Sequence, residues 1–148
     1  MNLASDRMRY LAERIFKQEA SERESPSTEN QMSVAVVQKL KPQLVELMGN
    51  KGFHALVSRS LTLAKEEAPW LAGARLNKEG VLEGFEDSHE PADPEQISTG
   101  GSVMLAWLLG LLSSFIGELF TVQLVLEGWP NLPLDGYFLQ ANDHEETL

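Results

Sequence analysis

The spacing of hydrophobic positions changes several times along the chain, and each change marks an element. Met8, Leu11, Ala12, Ile15 and Phe16 recur at helical spacing, so residues 5–20 are expected to form an amphipathic helix capped by Ser5 or Asp6. The run SERESPSTEN over 21–30 contains Pro26 and no apolar side chain, and it reads as a linker. Val36, Leu40, Leu44 and Leu47 then form one stripe of a helix over 31–48, in which Pro42 is expected to force a kink or restart. Gly49-Asn50-Lys51-Gly52 is a stop-and-turn signal. Phe53, Leu56, Val57, Leu61 and Ala64 define the next helix, over 52–67, and Pro69 ends it.

Between Trp70 and Phe85 the period shortens. Two short runs flank Asn77-Lys78-Glu79-Gly80, where Gly80 is able to take the left-handed conformation that closes a hairpin. A small β-hairpin is therefore expected over 70–85. The acidic stretch 86–94 follows as a loop. Asp93-Pro94-Glu95-Gln96 has the chemistry of a helix start, with Asp as N-cap and Pro in the first turn. Gly100-Gly101 is expected to interrupt that turn, leaving Thr99 or Ser102 to cap the helix that follows.

That helix dominates the sequence. Val103–Leu126 reads VMLAWLLGLLSSFIGELFTVQLVL and is apolar nearly all the way round. Such a helix has to be buried in a core, shared with a partner or placed in a bilayer. Gly128, Trp129 and Pro130 form its expected stop, with Gly128 at the C′ position and Trp129 packing back on the last turn. Leu108, Leu111, Leu112, Phe115, Leu119, Val122 and Leu126 gather on a bulky side. Ala106, Gly110, Ser113, Ser114, Gly117 and Thr121 gather on a small side. A bulky side fills a core, and a small side admits a second backbone at close range.

These patterns predict a mainly α protein: a bundle of about four helices around a central apolar helix at 103–127, with the small hairpin at its edge. The expected division is a tethered amphipathic helix (1–20), a linker (21–30), one helical domain (31–138) and an acidic tail (139–148). The expected contact surfaces are Gly110, Ser114, Gly117 and Thr121 on the small side of the long helix, and Met8, Leu11 and Ile15 on the first helix. The long helix is long enough for a hydrocarbon layer of about 30 Å. Glu118 and Gln123 lie inside it, its flanks are acidic, and no Lys or Arg follows Lys78. These features favour a soluble core or interface over a membrane span.

Charge sharpens this picture. The net charge is −10, all 12 Lys and Arg lie at or before Lys78, and the 13 acidic residues after it face no basic one. An acidic half of this kind disfavours nucleic acid as a partner. It either keeps an apolar chain soluble or meets a basic protein. Cysteine is absent, which excludes disulfides and thiolate chemistry, and the N-terminal residues do not read as a secretory signal, so a cytoplasmic location is expected.

Candidate chemistry is sparse. Glu118 in apolar surroundings invites an acid–base role, but a position at an edge, or an ion pair with Arg59, Arg75 or His54 from the basic half, explains it more simply. His89-Glu90, near Asp87 and Asp93, lacks the spacing of a helical metal site, and His144-Glu145-Glu146 belongs to the tail. No phosphate loop or nucleophile elbow occurs. The sequence therefore points to a non-catalytic intracellular interaction or regulatory protein without cofactor or metal, self-associating as a homodimer. The alternatives are an acidic inhibitor, chaperone or immunity-type protein for a basic partner, and a membrane-associated protein that inserts the 103–126 helix.

Overall fold

The computed structural model describes residues 4–22, 29–83 and 94–134. Helix α1 spans Asp6–Glu22 and α2 spans Glu29–Glu67. A 3₁₀ turn at Pro69–Leu71 leads to strands β1 (Arg75–Leu76) and β2 (Leu82–Glu83), and the helices α3 (Pro94–Ile116) and α4 (Glu118–Gly128) follow. The mainly helical architecture with a small hairpin is thus present.

The core sits where α1, α2 and α3 meet. Ser5 caps α1: its hydroxyl accepts from Met8 N at 3.3 Å and its carbonyl from Arg9 N at 2.9 Å. The apolar stripe of α1, from Met8 through Leu11, Ala12 and Ile15 to Phe16, is buried with Leu40 and Leu44 of α2 and with Leu105, Leu108, Leu109 and Leu112 of α3. The first helix is therefore packed into the same core as the rest of the chain. Helix α3 lies against both α1 and α2 and leads into α4, which makes it the central element.

Three boundaries differ from the sequence reading. In α2 the break at Gly49 (φ 77°, ψ 171°) falls where the 49–52 stop was expected, but the expected kink at Pro42 is absent: helical dihedrals continue through that exposed residue. Glycine reaches positive φ without the steric cost that other residues carry. Helix α3 runs from Pro94 straight through Gly100-Gly101. A helical glycine costs only about 1 kcal/mol relative to alanine, which burial of a single Leu more than offsets. The third difference matters most. The expected continuous helix at 103–127 is two helices, broken at Gly117 (φ 90°, ψ 154°). Gly117 N donates to Ser113 O at 2.8 Å to finish α3, and Gly117 O accepts from Thr121 N at 3.1 Å to begin α4. Gly128 is the last residue of α4 and does not adopt positive φ; Trp129 caps the helix. Among the described residues, no helix is long and apolar enough to cross a membrane.

The hairpin pairs Arg75 with Glu83 and Leu76 with Leu82 in antiparallel register. Its turn is held by Asn77, whose Oδ1 accepts from Glu79 N at 2.9 Å and Val81 N at 3.0 Å. Gly80 (φ 79°) has no room for a side chain: a Cβ there would lie 2.8 Å from Lys41 Nζ and 3.3 Å from the Phe53 ring. Lys41 Nζ donates to Glu79 O at 2.7 Å, and Gln38 Nε2 to Gly80 O at 3.2 Å, so the hairpin is fastened to α2.

Candidate interaction surface

The break at Gly117 decides which side chains after it reach solvent and leaves Phe115, on the last turn of α3, uncovered. In an unbroken helix Phe115 and Leu119 belong to the bulky stripe with Leu108, Leu111 and Leu112. Here α4 leaves Gly117 in a new direction, and that stripe does not continue. Leu108, Leu111, Leu112 and Val122 stay buried, whereas Phe115 is 73% and Phe120 64% exposed, with Leu119 at 40%. Thr121, from the small side, is fully buried, and its hydroxyl donates to Gly117 O at 2.9 Å. Leu47, just before the Gly49 break in α2, is 50% exposed. Single exposed apolar side chains are ordinary on a protein surface, but a contiguous group with two phenylalanines is not.

Two hollows flank this group. The first, about 680 Å³, lies between α2 and α4 and is lined by Gln43, Glu46, Leu47, Ile116, Phe120, Gln123, Leu124 and Glu127. Its α4 wall, Phe120–Gln123–Leu124–Glu127, and its α2 wall, Gln43–Glu46–Leu47, are each single helix faces. The second, about 640 Å³, lies between the later part of α2 and the end of α3. Leu47, Met48, Leu56, Leu111, Phe115 and Ile116 give it an apolar lining, and Arg59 is its one charged residue among those described. Leu47 and Ile116 line both, so they form the saddle between the hollows. Gln43 Oε1 is buried without a hydrogen-bond partner among the described residues.

Elsewhere several charged pairs hold helices together. Arg7 Nε donates to Glu118 Oε1 and joins α1 to the start of α4. The candidate acid–base residue is therefore a structural partner of α1, and the pairs expected with Arg59, Arg75 or His54 are not formed. Arg9 grips Glu67 with two bonds of 2.6 and 2.7 Å, and Trp107 Nε1 donates to the same carboxylate at 3.2 Å, so α1, α2 and α3 share one contact. The hydrogen bonds and charge of Arg9, aided by Trp107, hold the Glu67 carboxyl below its ordinary value against the opposing effect of burial. At the far end of the bundle Glu19 is buried, accepts from Trp129 Nε1 at 3.0 Å and pairs with Lys39 Nζ at 2.7 Å. Burial disfavours the Lys39 ammonium, but its bonds to Glu19 and Glu22 outweigh that and raise its pKa.

The Glu67 contact carries a pH dependence of definite sign. Its folded pKa is depressed, so its contribution to stability is complete above the unfolded carboxylate value of about 4.3 and is lost as pH falls through the folded value. Thermal unfolding of the protein and of Arg9→Met across that range is expected to show a midpoint difference that narrows on acidification. A difference independent of pH overturns this assignment. The pair is about one-third exposed, which keeps the effect modest.

No family model, curated protein or solved structure matches the chain. Function therefore has to be argued from the surface alone.

The residues expected at contact surfaces divide into two groups. Met8, Leu11 and Ile15 are buried within the chain, as are Gly110 and Thr121; Ser114 and Gly117 are exposed. Part of the small side of α3 receives α1 itself: Ser113 Oγ lies 3.6 Å from Met8 Sδ. The close approach read from the small residues is thus met inside one molecule. Leu47, Phe115, Phe120, Arg59, Glu46 and Glu127 were not singled out as surface residues from the sequence. A signal for them was present: Gly117 followed by Glu118 is a helix stop followed by an acidic first turn, in the middle of an apolar run. The readings at Asp87, His89, Glu90 and Asp93 and at His144-Glu145-Glu146 lie outside the described residues.

Proposed function

We propose that this chain is a non-catalytic interaction protein that self-associates through the apolar face around the Gly117 break. The observation that carries the proposal is the exposure of Phe115 and Phe120 beside hollows that they themselves help to line. Projecting rings and concave apolar space on one patch are what a two-fold contact needs, because each copy offers both halves of the fit. Burying a Phe side chain is worth roughly 1.5–3 kcal/mol, which gives such a patch reason to pair.

Mass measurement across a dilution series in detergent-free buffer tests this. The expected result is a dimer that dissociates on dilution, with Phe120→Ser shifting the transition to roughly 10- to 100-fold higher concentration. A monomer at every concentration overturns the proposal. Gly117→Leu is a poor probe of the same face. The φ of 90° at that position strains any larger residue, so the substitution disturbs the helix break whatever surrounds it.

A further inference from the structure

The two hollows carry opposite charge. The polar rim of the α2–α4 hollow consists of two amides, Gln43 and Gln123, and two carboxylates, Glu46 on one wall and Glu127 on the other. Among the described residues, the only charged one lining the α2–α3 hollow is Arg59. Glu46, Glu127 and Arg59 are all exposed, and none has an ion-pair partner among the described residues. The carboxylates and the guanidinium are kept apart by the Leu47–Ile116 saddle. The patch is therefore apolar at its middle, negative on one side and positive on the other.

This distribution restricts what fits it. A two-fold axis through the saddle, lying in the plane of contact and across the line joining the hollows, sets each hollow opposite the other hollow of the second copy. The carboxylates of one molecule then meet Arg59 of the other, twice. The ring of Phe120 beside one hollow meets the copy's α2–α3 hollow, and the ring of Phe115 meets its α2–α4 hollow. Turning the second copy end for end sets carboxylate against carboxylate and guanidinium against guanidinium, which like-charge repulsion opposes. The segment 135–148 is a poorer occupant of the acidic hollow, because it carries four acidic residues and no Lys or Arg.

We propose that the occupant of this face is a second copy of the chain in that one register, with Arg59 of each molecule against Glu46 and Glu127 of the other. The inference rests on the self-association proposed above and specifies its geometry. Opposite charges at the rim set the register, and the apolar middle supplies the attraction.

Charge reversal tests it. Arg59→Glu sets three carboxylates together in each half of the homodimer. The double variant Glu46→Arg/Glu127→Arg sets three cations together. Each variant alone is expected to dimerise about tenfold more weakly than the parent protein. Mixed in equal amounts, they are expected to form a heterodimer tighter than either homodimer, because every rim contact in the mixed pair joins opposite charges. Circular dichroism of each variant confirms that the helices are retained, and recovery on mixing does not arise from misfolded chains. If the parent protein dimerises, but the variants dimerise equally well or fail to prefer one another, the register is wrong while self-association stands. If the parent protein is monomeric throughout, both proposals fall.

Discussion

Trp129→Ala is expected to destabilise the protein by about 3–5 kcal/mol, a large part of the total stability of a domain this size. Trp129 is fully buried just past the end of α4, so truncation leaves a cavity that a helix end cannot collapse to fill. The indole also donates to Glu19 at 3.0 Å, and Lys39 Nζ lies 5.4 Å from the ring centre. Removing it takes one donor from a buried carboxylate, and leaving a buried charge under-satisfied is costly. Trp129→Phe separates the two effects. It keeps most of the ring and loses the N–H, and is expected to cost about 1–3 kcal/mol. Denaturant unfolding of both variants measures the difference. Equal losses would mean that packing contributes nothing beyond the hydrogen bond, contrary to the burial seen here.

The second large effect is expected at Leu11. Leu11→Ala should lower unfolding stability by about 2–5 kcal/mol, because this side chain is completely enclosed between α1 and the rest of the core. The size of the loss is less telling than its dependence on protein concentration. Were Leu11 the anchor of a tethered helix that docks on another molecule, the substitution would weaken association and leave the isolated chain nearly as stable. As a core residue it lowers the stability of each chain equally at every dilution. Glu13→Ala, on the exposed side of the same helix, is expected to change stability by no more than about 0.5 kcal/mol. A similar loss from both would show that α1 is held by something other than its apolar stripe.

Much of the helical order was legible in the sequence because burial periodicity is a local property. The stripes at Met8–Phe16, Val36–Leu44 and Phe53–Ala64 are the residues found buried, whereas Leu47, expected on the second stripe, is half exposed. The hairpin turn was legible for the same reason, since Asn77 and Gly80 act within a few residues of themselves. The stop at Gly49 was legible too, but the other helix breaks were less so. Gly49, Gly100, Gly101 and Gly117 each cost about 1 kcal/mol in a helix and Pro42 about 3 kcal/mol, and burial of nearby Leu side chains overrides that order. The chain bends at Gly49 and Gly117 and stays helical at the other three. Tertiary packing made that selection.

What the sequence determined by itself was that Val103–Leu126 had to be covered, and that its charge asymmetry set the basic residues apart from the acidic second half. Both follow from composition and period, which need no coordinates. Only the tertiary structure decided how the stretch is covered. Helix α1 reaches the small side of α3, Arg7 takes Glu118, and a single glycine turns α4 so that Phe120 faces outward while Thr121 faces in, with Phe115 left uncovered on the last turn of α3. A helix carries its face assignments forward only as long as its dihedrals repeat. One residue at φ 90° resets them for everything downstream, and that residue's choice depends on partners distant in the chain.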